Sequence, residues 1–190
     1  MGDLVVTEFM TLDGVVQDPG GTGEFDRGGW SFKFERGPEG DTFKLDELMA
    51  ADAQLLGRVT YEGFAAAWPT IEAGEFGVKF NEMPKFVVSK TLKDATWNNS
   101  TVLDSGDLAA DVAMLKERFE GNILVSGSTQ LVQSLLALDL VDELRLMVFP
   151  VVLGAGKRLF ADGTDTTTFE LVETGQTGQA STLVFRRKNG

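Results

Sequence analysis

The residues best placed to do chemistry in this chain lie in short glycine-punctuated stretches that follow apolar runs. The most organised is Gly121-Asn122-Ile123-Leu124-Val125-Ser126-Gly127-Ser128-Thr129-Gln130-Leu131-Val132. A buried strand over 123–125 runs into a turn of small residues. An amphipathic helix follows, with Leu131, Val132, Leu135 and Leu136 on one face. The first N–H groups of a helix have no internal partner and point, with the positive end of the dipole, at whatever precedes them. A phosphate suits such a turn. Gly127 lets a ligand approach the backbone, and Ser128 can cap the helix and offer a hydroxyl to a phosphate oxygen. A strand, a glycine turn and a helix are also ordinary chain punctuation, so the other stretches must decide.

Three more stretches share the pattern. A short strand over 53–56 meets Gly57-Arg58-Val59-Thr60-Tyr61, and the helix that follows runs through Ala67 until Trp68-Pro69 stops it. Arg58 and Thr60 therefore stand at a helix start. A strand over 85–88 ends in Ser89-Lys90-Thr91, and a long strand over 143–153 runs into Gly154-Ala155-Gly156-Lys157-Arg158. The formal charge of -12 opposes nonspecific binding to nucleic acid or to an anionic membrane. A phosphate-bearing ligand would need local cations against that field, and Arg58, Lys90, Lys157 and Arg158 supply them in these loops. The chain has no cysteine and no histidine. Disulfides, thiolate nucleophiles, the Ser-His dyad and the commonest zinc ligands are excluded together. Chemistry here must use carboxylates, hydroxyls, Lys, Arg, Tyr or a cofactor.

The elements that position these stretches alternate. At 190 residues, 43% hydrophobic and 24% charged, the chain is expected to form one α/β domain over 1–190, with a cytoplasmic address because no signal peptide or long apolar run is evident. A first strand over 4–10 has little polar content and ends in Thr11-Leu12-Asp13-Gly14. The loop over 17–40 is rich in glycine and aromatics, including Phe25, Trp30, Phe32 and Phe34. It is either a lid over a ligand or a surface loop folded back on its own domain. Asp41 is positioned to cap a helix over 42–51, and Asp107 caps the clearest helix, 107–119. Residues 101–103 form a fourth strand. Strands near 169–173 and 182–187, joined by Gly175-Gln176-Thr177-Gly178, close the chain as a hairpin. The expected fold is a mostly parallel central sheet flanked by helices, with a C-terminal antiparallel hairpin at one edge. Ligands of such sheets bind beyond the carboxyl ends of the strands, where Gly14, Arg58, Ser89, Gly127 and Gly154 collect on one rim.

These residues resemble a known family. Leu56-Gly57-Arg58-Val59-Thr60-Tyr61-Glu62 is similar to the Gly-Arg-x-Thr-aromatic segment of dihydrofolate reductases, and residues 123–128 to their strand that ends in paired glycines. Thr11 to Gly14 and Pro150 to Phe160 resemble the Ser/Thr-Leu-Asp-Gly and Pro-Val-x-Leu-Gly-x-Gly-x-x-Leu-Phe segments of the riboflavin-biosynthesis reductase, the RibD C-terminal domain. The resemblance covers nearly the whole chain and implies the dihydrofolate-reductase-like fold with NADPH as cofactor. It implies that Arg58, after Gly57, meets the 2′-phosphate, that Thr60 meets the pyrophosphate, and that Ser89 and Lys90 flank the adenosine phosphate. Ser126, Gly127, Ser128 and Thr129 would cradle the pyrophosphate and nicotinamide side. In dihydrofolate reductases the paired-glycine peptide is cis; Ser126 replaces the first glycine here, which weighs against a cis bond at Ser126-Gly127. Each assignment has a plainer alternative: Arg58 can pair with Glu62 one helical turn on, Ser89 to Thr91 can be a bare strand exit, and the Gly154 to Arg158 loop can simply pack a sheet edge.

The resemblance places a proton-donating carboxylate at Asp41, a position that also reads as a helix cap; Asp46 and Glu47 lie on the same helix and read as a solvated face. Asp13 is the second candidate, with the turn as its other role. Lys157, Arg158, Gly156 and Trp30 are the substrate-side candidates, the first two as holders of a ribose phosphate. Together these imply an NADPH-dependent reductase resembling the 5-amino-6-(5-phosphoribosylamino)uracil reductase of riboflavin biosynthesis, passing a hydride to a pterin- or ribosylpyrimidine-like small molecule. A deazaflavin is the other hydride carrier the residues allow. A nucleotide-binding module without turnover and a non-catalytic oligomeric scaffold are the alternatives. A homodimer is expected, with the apolar strand over 144–153 as its interface.

Overall fold

Apolar runs at 4–6, 55–56, 86–87 and 123–125 have no polar face to turn to water, and the fold buries them as adjacent central strands. The computed structural model describes residues 1–22 and 25–188; positions 23 and 24, within the expected 17–40 loop, and 189 and 190 lie outside the described residues. The elements are β1 (Leu4–Thr11), α1 (Gly37–Met49), β2 (Ala51–Gly57), α2 (Arg58–Ala67), α3 (Gly74–Glu82), β3 (Lys85–Val88), β4 (Ser100–Leu103), α4 (Leu108–Arg118), β5 (Asn122–Val125), α5 (Thr129–Ala137), β6 (Glu143–Phe149), β7 (Phe169–Thr177) and β8 (Ala180–Arg187). They build one eight-stranded sheet in the order β4-β3-β2-β5-β1-β6-β8-β7. The first six are mutually parallel, and β8 and β7 add antiparallel at one edge. This is the α/β architecture expected.

Helices cover both faces. Leu115 of α4 and Leu131 and Leu135 of α5 pack with Val6, Leu55 and Val125 on one side. Leu48 of α1, Tyr61 of α2 and Phe80 of α3 pack with Val5, Leu56 and Val87 on the other. No helix among the described residues is long and apolar enough to cross a membrane.

Several boundaries differ from expectation. Helix α1 starts at Gly37 with a proline in its first turn and Arg36 at the N-cap, so Asp41 lies inside the helix and caps nothing. Asp107 does cap α4, accepting from the Ala110 amide at 3.0 Å. Ser128 holds the N-cap position of α5, but its hydroxyl makes no capping bond. The closing hairpin is longer than expected: β7 continues through Thr177, leaving Gly178 and Gln179 as the turn. Strand β6 ends at Phe149 and lies between β1 and β8 with Leu144, Leu146, Met147 and Phe149 buried. An interior strand cannot pair edge to edge with a second copy; the sheet edges are β4 and β7, and on β7 Leu171 and Val172 are each about half exposed.

Candidate active site

The parallel strands end together, and their ends make the site. Register pairs Val6 with Val125 and Gln54 with Leu124, so the residues after β2 and β5 emerge side by side. The Gly57 amide donates to the Gly127 carbonyl at 3.2 Å. A Cβ on Gly57 would overlap Ser128 Oγ and lie 3.0 Å from the Ser128 amide nitrogen, so only glycine permits this approach. Gly127 has φ +101, and a Cβ there would lie 2.9 Å from Thr60 Oγ1 and 3.8 Å from Glu8 Oε1. The starts of α2 and α5 thus meet across two bare Cα atoms, with the first N–H groups of two helices side by side. The cis peptide lies one residue later than the dihydrofolate reductase motif places it, at Gly127-Ser128 instead of Ser126-Gly127. Ser126 and Thr129 flank this turn, both partly buried.

Arg58 stands at the head of α2, its guanidinium Nη1 donating to Glu62 Oε2 at 2.8 Å. Both side chains are more than 40% exposed, which makes the pair a weak one and leaves the guanidinium open to the rim. Ser89 is buried, and its Oγ accepts from the Thr91 and Leu92 amides at 3.2 and 2.9 Å, bonds that shape the strand exit. Lys90 is exposed, with its Nζ 3.6 Å from the point where a Cβ of Gly106 would lie, so the loops after β3 and β4 meet at this cation.

The other half of the rim is closed by loops. The Asp13 carboxylate accepts from the Thr11 hydroxyl at 2.6 Å and from the Leu153 and Gly154 amides at 3.2 and 2.8 Å. The Thr11 hydroxyl first, then those amides, hold the Asp13 carboxyl down to about 2. It is an ionised loop staple at neutral pH and has no proton to give, which corrects the expectation of a donor. Arg158 Nε donates to the Asp13 carbonyl at 3.0 Å, while the Val16 amide donates to the Lys157 carbonyl and Leu159 to Gly14. Gly156 packs under Val15 and Phe25, where a Cβ would lie 2.7 Å from Val15 Cγ1. Trp30 is fully buried, edge-on to Phe149 at 5.6 Å, its indole donating to the Gln17 carbonyl. Trp30, Gly156 and Arg158 therefore spend these contacts on the fold, and Lys157 keeps an exposed side chain. The described part of the 17–40 stretch is folded back on the domain, anchored at Trp30 and Ser31. Asp41 is exposed and ion-paired with Arg36 at 2.6 Å, outside the cluster of buried acids.

Of those buried acids, Glu8 is the one that sequence reasoning missed, while Glu47 reads from the sequence as part of a solvated helix face. Glu47 of α1 is buried; it accepts the Thr7 hydroxyl at 2.9 Å and pairs with Lys44, whose Nζ donates to Thr7 Oγ1 at 2.7 Å. Glu8 of β1 is 8% exposed, and its Oε1 has no hydrogen-bond partner among the described residues. Burial pushes its carboxyl up to about 8, against the opposing field of Lys44. The available signal for Glu8 was the charge itself: one acid in an otherwise uncharged central strand needs a reason.

The rim fits a dinucleotide cofactor: two glycine cradles, a half-exposed arginine at their edge and an orphaned buried oxygen beneath them. The comparisons bear on the fold and the family. The uncharacterized protein YwjB of Bacillus subtilis (strain 168) is 30% identical over 178 residues, 94% of each chain. The structure of a putative riboflavin biosynthesis protein from Shewanella sp. PV-4 superposes with a TM-score of 0.77 at 21% identity, over 98% of this chain and 99% of that one. Dihydrofolate reductase from Enterococcus faecalis, complexed with NADP(H), superposes with a TM-score of 0.62 at 14% identity, over 98% and 97% of the two chains, so the fold is dihydrofolate-reductase-like. The profile of the RibD C-terminal domain matches residues 3–183, and the chain belongs to that family.

Proposed function

We propose that the protein is an NADPH-dependent reductase acting on a pterin- or ribosylpyrimidine-like small molecule. The observation that carries this reading is the contact of two helix starts across Gly57 and Gly127, with Arg58 at its edge. When bound, the nicotinamide supplies a hydride to an electrophilic carbon of the substrate. The chain's own residues bind and orient. Arg58 presents a planar fork that matches the 2′-phosphate, and Lys90 with Ser89 faces the adenosine phosphate. Thr60, Ser126, Gly127, Ser128 and Thr129 hold the pyrophosphate at the two dipole ends. Lys157 offers an exposed ammonium to a substrate phosphate. The staple at Asp13 fixes the loop that carries it.

The experiment is a titration with NADPH, followed by thermal shift and nicotinamide fluorescence, then NADPH oxidation across reduced and oxidised pterins and ribosylated pyrimidines. Saturable binding with turnover supports the reading; no binding overturns it. A nucleotide-binding protein without turnover is the second reading, favoured by one observation: neither Asp13 nor Asp41 stands free to give up a proton. Saturable binding with no oxidation across the panel selects it. We also assign a homodimer to this chain, through the half-exposed Leu171 and Val172 on edge strand β7 in place of β6. A monomer by light scattering overturns that assignment.

A further inference from the structure

Glu8 is out of place in the most buried part of the sheet. Its neighbours along β1 on the same face, Leu4 and Val6, belong to the apolar core. Strand register carries it toward the turn after β5: Val6 pairs with Val125, the last residue of β5, and Glu8 lies two residues further along β1. Its Oε1 comes within 3.8 Å of the Cβ position that Gly127 leaves empty, and Thr60 Oγ1 lies 2.9 Å from the same position. A buried acceptor with no partner is costly and rare in native proteins. Here it lies beside the backbone cradle where two helices start.

We propose that Glu8 is a ligand-binding residue of the Gly127 turn, its carboxyl held in the acid form and donating a hydrogen bond to an acceptor oxygen of the nucleotide seated there. The proposal builds on the cofactor reading above. A carboxylate at this point would face the phosphates or the amide oxygen of the cofactor as one acceptor to another; the acid form turns the same group into a donor. Burial keeps it in that form at neutral pH, with the carboxyl pushed up to about 8. The charged groups around it are few. Lys44 on α1 acts against burial and is itself tied to Glu47 and Thr7, α2 presents the uncharged Thr60, and β6 presents Leu146 across the strand pair. Arg58 and Glu62, the other charges near the head of α2, pair with each other at the surface. A nucleotide that needs the acid form binds less well as Glu8 ionises, and by linkage its binding raises the pH at which Glu8 ionises.

The test uses the whole protein in two ways. NADPH dissociation constants are measured by nicotinamide fluorescence between pH 6.5 and 9.5 (roughly the range that brackets a carboxyl displaced this far) for wild type and Glu8→Gln, which keeps a neutral donor of the same size. Wild-type affinity is expected to fall about tenfold per pH unit above the Glu8 transition, and Glu8→Gln to stay flat. The Glu8 carboxyl is also followed by carbon NMR in wild type, free and saturated with NADPH, a readout that needs no variant to fold. Its transition is expected to move up on saturation. Matching pH profiles for the two proteins, or a transition unmoved by NADPH, overturns the role of Glu8 and leaves the cofactor reading intact. Wild type that takes up no NADPH at any pH overturns the cofactor reading and this proposal with it.

Discussion

The Gly57 amide donates to the Gly127 carbonyl across 3.2 Å, and this one bond holds the ends of β2 and β5 so close that Ser128 fills the space where a Gly57 side chain would be. The backbone of Gly57 is extended, at φ -77 and ψ 155, a conformation any residue adopts. Glycine is needed there for proximity alone. Gly127 differs, because its φ of +101 and its contact with Thr60 both require glycine.

Gly57→Ala is therefore expected to fold but to push the Ser128 turn off α2. Overpacking of this kind costs about 1–3 kcal/mol, and NADPH affinity should drop at least about tenfold. Adding Ser128→Gly removes the overlapping Oγ and Cβ and should recover part of the loss, since the Ser128 amide at 3.0 Å still crowds the new methyl. Fluorescence titration of the single and double variants decides; a single variant that binds as wild type does would remove the cradle from the cofactor site.

Arg58 and Glu62 compete with the cofactor for each other. Arg58→Ala should weaken NADPH by about 1–3 kcal/mol, roughly 5- to 150-fold, and leave NADH almost unchanged, because only NADPH carries the phosphate that the fork would grip. Glu62→Gln should do the reverse and tighten NADPH several-fold, since the surface pair it breaks is worth about 0.3–0.5 kcal/mol or less while the carboxylate repels the phosphate. Equal losses for both nucleotides in Arg58→Ala would place the arginine elsewhere than on the 2′-phosphate.

How much of this was readable in advance depended on whether a residue's role was local. The places of Gly57, Arg58 and Gly127 at strand exits and helix starts were legible because such junctions are written within a few neighbouring residues. Asp107 was legible as a cap for the same reason. Helix α1 was misplaced because Asp41 and Pro38 both signal an N-terminus and the proline, four residues from Thr42, was the true one. Helix α3 was not foreseen at all: it carries two glycines, and its burial depends on Phe76 and Phe80 meeting Trp68. The burial of β6 could not be seen because it comes from β8 inserting between β6 and β7, a choice made by the whole sheet. Asp13, Gly156 and Arg158 looked like chemistry because they sit in loops, but the partners that bind them to the fold lie about 140 residues away in the chain.

The Asp13 staple gives a stability prediction with a definite sign. Its carboxyl is lowered from 3.8 to about 2, so the stabilisation is present above 3.8 and is lost as pH falls through about 2. Asp13→Ala removes a carboxylate that accepts from two amides and a hydroxyl, a loss of about 1–3 kcal/mol at pH 7. The gap in melting temperature between wild type and variant should be largest at neutral pH and narrow toward pH 2. A gap that does not vary with pH would mean that the side chain acts by filling space.

Glu8 predicts the opposite slope. Its carboxyl is raised from 4.5 to about 8 by burial, so between those values the folded protein holds a proton that the unfolded chain releases. Stability from the acid form is complete below pH 4.5 and is lost as pH rises through about 8, at up to about 1.4 kcal/mol per pH unit. Glutamine has no proton to lose and the same shape. Glu8→Gln and wild type should thus melt together near pH 4.5, separate in favour of the variant as pH rises, and stay a constant interval apart above pH 8. Both proteins carry the Asp13 staple and every surface charge in common, so the difference between their curves isolates Glu8. Parallel curves from pH 4.5 to 9 would mean that water reaches the carboxyl, and the orphaned oxygen under the Gly127 turn would then need no ligand to satisfy it.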